Sequence, residues 1–217
     1  MHSHRERVIT VLVHGLWYGP VSMLMLARRL RRAQFTTRLF RYPTVRRGLS
    51  ANARALGEWI DGLDAERVNL VGHSLGGLVI LRALTQRSDL PPGKVVLMGS
   101  PVRGSRAARR LAASGPIRPL VGRAREALDV GFDRAPPGRR VGVIAGNAGM
   151  GLGRLVRDLD QPSDGTIAVS ETRLPGCADA IELPVSHTGL VLSPAVADQV
   201  VAFLRSGRFQ STHGLQS

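Results

Sequence analysis

Apolar residues along this chain fall into two alternating kinds of run. Short, largely β-branched runs occur at Val8 to Val13, Thr37 to Tyr42, Val68 to Gly72, Lys94 to Met98, Val141 to Ala145 and Ala180 to Pro184, each with the length of a strand. Between most of them lie longer stretches with helical spacing. Ser22 to Ala33 puts Met23, Leu26, Ala27 and Leu30 on one face and leaves Arg28, Arg29, Arg31 and Arg32 for solvent. Leu49 to Leu63, Leu75 to Arg87 and Pro194 to Arg205 repeat that pattern. Strands that are apolar on both sides need cover on both faces, and the intervening helices supply it. The pattern therefore predicts an α/β class, with about six mostly parallel strands in a doubly wound sheet. In such sheets the working groups gather beyond the carboxyl ends of the strands.

One stretch breaks the alternation. Pro101 to Arg140 holds ten arginines and little strand signal. It reads as a cap or lid inserted at 101–140, after the fourth strand, within a single domain of residues 1–217. Leu111, Ile117, Leu120, Val121 and Leu128 lie among its arginines, so it is expected to be either a basic amphipathic lid or a helix pair with a solvated basic face. The formal charge of +14 comes from 30 basic against 16 acidic residues, and Lys94 is the only lysine. Such an arginine excess is either a compositional bias without functional content or an attraction to anionic interfaces. Peripheral contact with an anionic lipid surface is one expected partnership; specific nucleic-acid binding is not expected.

The lone Cys177 excludes an internal disulfide and a cysteine-based zinc cluster. No run reaches the roughly 18 apolar residues of a membrane helix, and Val8 to Val13 is too short for a secretory leader. Cytoplasmic residence is expected.

The strongest chemical signal is Gly72-His73-Ser74-Leu75-Gly76. As a bare Gly-x-Ser-x-Gly it is weak, because 25 glycines among 217 residues give roughly 0.2 such matches by chance. Its context is more specific, since it joins the apolar strand Val68 to Gly72 to an apolar helix. A chain that turns at once from strand to helix lifts the serine hydroxyl above the sheet in a strained conformation, and leaves little room for side chains two residues away. Gly72 and Gly76 meet that demand. The helix N-terminus offers free NH groups to a developing oxyanion.

A second Gly-rich turn, His14-Gly15-Leu16-Trp17-Tyr18-Gly19, follows the first strand. Here the chain resembles the α/β-hydrolase superfamily, especially compact bacterial lipases and esterases, in which a His-Gly-x turn faces the serine elbow. The resemblance implies a minimal α/β-hydrolase fold without two leading strands, an oxyanion hole made by the backbone NH groups of Leu16 and Leu75, and a structural role for His14. Trp17 and Tyr18 are expected either to line an acyl pocket or to pack. Where many lipases carry Gly-Thr-Pro-His after the fourth core strand, this chain reads Gly99-Ser100-Pro101-Val102.

A serine nucleophile needs a histidine base and a carboxylate to orient it. Among six histidines, His2, His4 and His213 lie in the tails, His14 belongs to the turn, and His73, beside the serine, is expected to point elsewhere. His187, at the end of the last strand, remains. Several carboxylates precede it. Asp164, in Pro162-Ser163-Asp164-Gly165-Thr166, resembles the Asp-Gly-Thr-Val segment of these lipases, with Asp160 the alternative; in itself Asp164 also suits an Asx turn. Ser74, Asp164 and His187 then follow the superfamily order.

Gly146 to Gly153 imitates a dinucleotide fingerprint, but no long apolar helix follows, so neither cofactor nor metal is expected. The resemblance implies hydrolysis of small-molecule or lipid esters through an acyl-enzyme on Ser74. Thioesterase, amidase and acyltransferase reactions use the same parts. A basic lipid- or RNA-binding module with a vestigial elbow is the alternative from another class, and would be indifferent to loss of Ser74.

Overall fold

Six strands form where the apolar runs lie: β1 (Val8–Val13), β2 (Thr36–Phe40), β3 (Arg67–His73), β4 (Val95–Met98), β5 (Val141–Gly146) and β6 (Asp179–Leu183). The computed structural model describes residues 6–105, 131–149 and 160–211. All five strand pairings are parallel, in the order β2-β1-β3-β4-β5-β6. Among the described residues five α-helices accompany them: α1 (Leu24–Arg32), α2 (Leu49–Asp61), α3 (Leu75–Gln86), α4 (Gly189–Leu192) and α5 (Pro194–Ser206).

The unbroken apolar character of the strands is explained by two cores. Val11, Leu70, Leu97 and Val143 turn to one face, where Leu56 and Ile60 of α2 and Leu78 of α3 meet them. Leu12, Val71, Val96 and Ile144 turn to the other, against Leu26 and Leu30 of α1 and Val196, Val200 and Phe203 of α5. Burying each such side chain contributes about 1.5–3 kcal/mol, more than helix propensity supplies per residue. Tertiary packing therefore holds these helices. α3 is buried almost all round, which is why its sequence has so little polar face.

Element ends follow local chemistry. α5 begins with Pro194 in its first turn and stops at Gly207, whose φ of 78° makes the left-handed cap. The helix expected over Ser22 to Ala33 divides instead into a 3-10 turn at Pro20–Met23 and α1, because Pro20 opens a tight turn before regular α spacing sets in. At the carboxyl side of β4, Phe132 N donates to Val102 O at 2.8 Å, so the chain leaves and returns at one point. Most of the expected 101–140 cap, residues 106–130, lies outside the described residues.

Candidate active site

At the carboxyl end of β3 the chain turns into α3 with no intervening loop. Ser74 occupies the turn at φ 54° and ψ −122°, a conformation that costs a non-glycine residue about 1–3 kcal/mol. Ser74 N donates to Met98 O at 2.9 Å and Gly77 N to Ser74 O at 3.1 Å. The surrounding glycines answer to close approach rather than to their own dihedrals. A Cβ on Gly72 would come to 2.6 Å from the Gly77 Cα, and one on Gly76 would overlap the carbonyl oxygens of Val13 and His14. Gly77, which the motif does not specify, is equally constrained, since a Cβ there would overlap Ser100 Oγ.

The turn after β1 closes over the elbow. A Cβ on Gly15 would lie 3.0 Å from the Ser74 Cβ. His14 stacks on Tyr42 with ring centroids 4.5 Å apart, and Tyr42 donates its hydroxyl hydrogen to His14 O at 2.7 Å. Burial raises the Tyr42 pKa well above the ordinary phenol range, so this donor stays protonated. His14 Nδ1 donates to Gly15 O at 2.9 Å, because a carbonyl only accepts. His14 is thus a strut, as expected. Tyr42 is a support that sequence alone missed: it reads as the last residue of an apolar run. Leu75 is the first residue of α3, and neither its NH nor that of Leu16 donates a hydrogen bond within the described residues. The turn after β1 and the start of α3 thus each carry a backbone NH without a partner among the described residues.

Asp164 follows β5, and His187 follows β6. The Asp164 carboxylate is 1% exposed. Its Oδ1 accepts from Thr166 N at 2.9 Å and Ile167 N at 2.7 Å, and its Oδ2 accepts from His187 Nδ1 at 2.6 Å. The Asx turn and the histidine partner, alternatives in the sequence, coexist in one side chain: the turn aims the carboxylate that the histidine meets. His187 N also donates to Asp164 O at 2.9 Å. With its hydrogen on Nδ1, His187 keeps a lone pair on Nε2. Gly99, at φ 56°, allows β4 to end beside this pair, where a Cβ would lie 3.1 Å from Asp164 Oδ2. Asp160 is exposed and is not the carboxylate bonded to His187. Ser74 Oγ makes no hydrogen bond within the described residues; catalytic hydrogen bonds commonly tighten only around substrate.

His73 does not point away. Its fully buried ring lies 4.7 Å from the His187 ring, and its Nε2 donates to His187 O at 3.0 Å. Tyr18 meets the His73 ring edge-on at 5.4 Å, and its hydroxyl pairs with Thr188 Oγ1 at 2.8 Å. Tyr18 therefore straps the turn after β1 to the loop that carries His187, while Trp17 stands at φ 63° and is half exposed. No sequence signal short of the tertiary fold reveals the His73 contact.

Burial first, then the neighbouring His187, holds the His73 pKa well below the usual imidazole value. The folded chain thus refuses a proton that the unfolded chain accepts below about pH 6.5. This contribution to stability is complete above that pH and is lost as the pH falls, by up to about 1.4 kcal/mol per pH unit. Burial lowers His14 in the same sense. Urea unfolding is expected to show a lower midpoint at pH 5 than at pH 7, with a shallower pH slope for His73→Gln. Equal slopes for wild type and variant would contradict this assignment.

No group of three His, Cys, Asp or Glu side chains suited to a metal ion occurs among the described residues. No helix among them is long and apolar enough to cross a membrane.

The sequence matches the family model described as the Alpha/beta hydrolase family over residues 10–212. A search of curated protein sequences returns no match. Among solved structures, the chain is similar to the mature lipase BlEst2 of Bacillus licheniformis, with a TM-score of 0.74 and 19% identity, covering 94% of this chain and 93% of that one. It is similar to the carboxylesterase CesB (YbfK) of Bacillus subtilis, with a TM-score of 0.60 and 15% identity over 94% of this chain and 85% of that one. The NocB thioesterase domain of the nocardicin cluster follows at 0.59 and 20%, over 89% and 91%. At such identities the likeness is one of fold.

Proposed function

The chain belongs to the alpha/beta hydrolase family, and from that premise we propose that it is a serine hydrolase of carboxylic esters, acting on small-molecule or lipid esters through an acyl-enzyme. The observation that carries the reading is the 2.6 Å bond from His187 Nδ1 to a buried Asp164, at the same end of the sheet as a strained, loop-free Ser74 turn.

Ser74 Oγ attacks the ester carbonyl carbon while His187 Nε2 takes its proton, and Asp164 stabilises the resulting imidazolium. The carbonyl π electrons move onto oxygen, where Leu16 N and Leu75 N donate to the oxyanion. Each such donor is worth about 2.7–4 kcal/mol of barrier. As the tetrahedral adduct collapses, the bond to the alkoxy oxygen breaks and His187 gives its proton to the departing alcohol. Water then attacks the acyl-enzyme by the same route, releasing the acid and restoring Ser74. The chain's own groups supply every proton transfer. Trp17 is the exposed side chain nearest in sequence to the oxyanion donors and suits contact with the acyl chain.

A thioester reading has one specific support, the likeness to a thioesterase domain; the triad chemistry would be the same. Wild type is expected to react with a fluorophosphonate probe at Ser74 and to hydrolyse short p-nitrophenyl esters, and the ratio of kcat/KM on matched ester and thioester substrates separates the two readings. A wild-type protein that neither labels nor turns over either substrate would sink both.

A further inference from the structure

The described residues expose only four large hydrophobic side chains, and all four lie in two short segments. Trp17 is 52% exposed, Val21 72%, Met25 44% and Leu192 45%. Isolated exposed apolar residues are ordinary; a cluster is not. The two segments are fastened to each other. Tyr18 pairs with Thr188, and an Arg29 guanidinium NH donates to Leu192 O. They are also the segments next to the oxyanion turn and to His187, so the apolar patch borders the mouth of the candidate site.

The segment that carries three of these four side chains is also strongly cationic. From Arg7 to Gly57 the chain contains ten arginines and no aspartate or glutamate. Arg7 pairs with Asp64 and Glu66, but none of the other nine has a carboxylate partner among the described residues. They surround the β2 edge of the sheet, carried by α1, by β2 and its following loop, and by α2. On α1 the buried Leu26, Ala27 and Leu30 leave Met25, Arg28, Arg29 and Arg32 on the outward face, so apolar and cationic groups continue along one surface.

We infer that this face, Trp17, Val21, Met25 and Leu192 bordered by the arginines of α1, docks on the surface of an anionic phospholipid bilayer and turns the mouth of the Ser74 site toward it. A bilayer interface accommodates every component: aliphatic side chains enter the acyl boundary, tryptophan sits at headgroup depth, and unpaired arginines meet lipid phosphates. A nucleic acid would match the charge but has little use for Val21 and Met25, since single strands are gripped by aromatic stacking. The surface differs from the 101–140 stretch, for which interfacial contact is one of two readings of the sequence. Docking is independent of the reaction proposed for Ser74.

Flotation with phosphatidylcholine vesicles containing about a third phosphatidylglycerol tests the inference. Wild type and Ser74→Ala are expected to float with these vesicles, to be released by salt, and to stay behind with pure phosphatidylcholine. Arg28→Ala with Arg32→Ala should weaken partition roughly 25-fold, at about fivefold per arginine, and Val21→Ser with Met25→Ser about tenfold or more. Both pairs should keep the wild-type thermal melt and wild-type rates on a short soluble ester. In a Trp59→Phe protein, brominated phosphatidylglycerol should quench the remaining Trp17 emission. The inference is overturned if neither pair changes partition, if neutral vesicles bind equally, or if Trp17 stays unquenched on bound vesicles. Tighter binding to a single-stranded RNA than to vesicles, unchanged by the serine pair, would reassign the face to nucleic acid.

Discussion

Ser74→Ala is expected to lower kcat for ester hydrolysis about 100,000-fold or more while leaving the thermal melt at or above the wild-type value. Removing the nucleophile deletes the covalent route, and triad members act as a unit. The residual rate would be what two oxyanion donors and substrate binding provide without an attacking serine, about a thousand- to ten-thousand-fold over water. The stability half of the expectation is equally specific. Ser74 sits at φ 54° and its hydroxyl bonds to no described residue, so alanine forfeits no hydrogen bond to them there. Burst kinetics, fluorophosphonate labelling and calorimetry on the same preparation measure both halves. Hydrolysis within tenfold of wild type would reject the acyl-enzyme on Ser74.

Asp164→Asn should cost about ten thousand-fold in kcat, and Asp160→Asn should leave the rate near wild type. The two oxygens of the Asp164 carboxylate have different partners. Thr166 N and Ile167 N both donate to Oδ1, so an asparagine carbonyl must occupy that position and its NH2 must replace Oδ2. His187 Nδ1 then faces a donor rather than an acceptor. The imidazole hydrogen moves to Nε2, and the nitrogen that should take the serine proton is already protonated. Asp160, exposed and not bonded to His187, has no such leverage. If Asp164→Asn retains a tenth of the wild-type rate, another group is orienting His187.

Much of this fold is legible along the chain because a parallel sheet buried on both faces writes a local signature: every strand end falls within two residues of its apolar run. The elbow is legible for the same reason, as Gly72, Ser74 and Gly76 are close neighbours in sequence. What lies across the fold is not. His73 bonds to a carbonyl 114 positions away, and nothing in its surroundings in sequence distinguishes a ring that packs on His187 from one that turns outward. Tyr42 looked like the end of a strand, yet it holds up the turn after β1. Gly77 owes its lack of a side chain to Ser100, just past the carboxyl end of β4. Asp164 stands between these cases: its turn is readable, whereas its bond to His187 depends on β5 and β6 lying side by side.

The Asp164–His187 pair sits where the sheet is expected to give way first. Among the described residues β6 is the outermost strand, paired with β5 alone, and its side chains alternate between partly exposed and exposed until Leu183. Asp164 and His187 both hang from this margin, while Ser74 is rooted in the interior. Structures open first where fewest contacts must be released. Gentle heating or dilute denaturant would therefore unfasten the Asp164–His187 pair before the central strands part, and catalysis would disappear while circular dichroism still reported a nearly intact sheet. In such a preparation, lost activity would be an early and reversible sign of a fraying margin rather than of a ruined molecule.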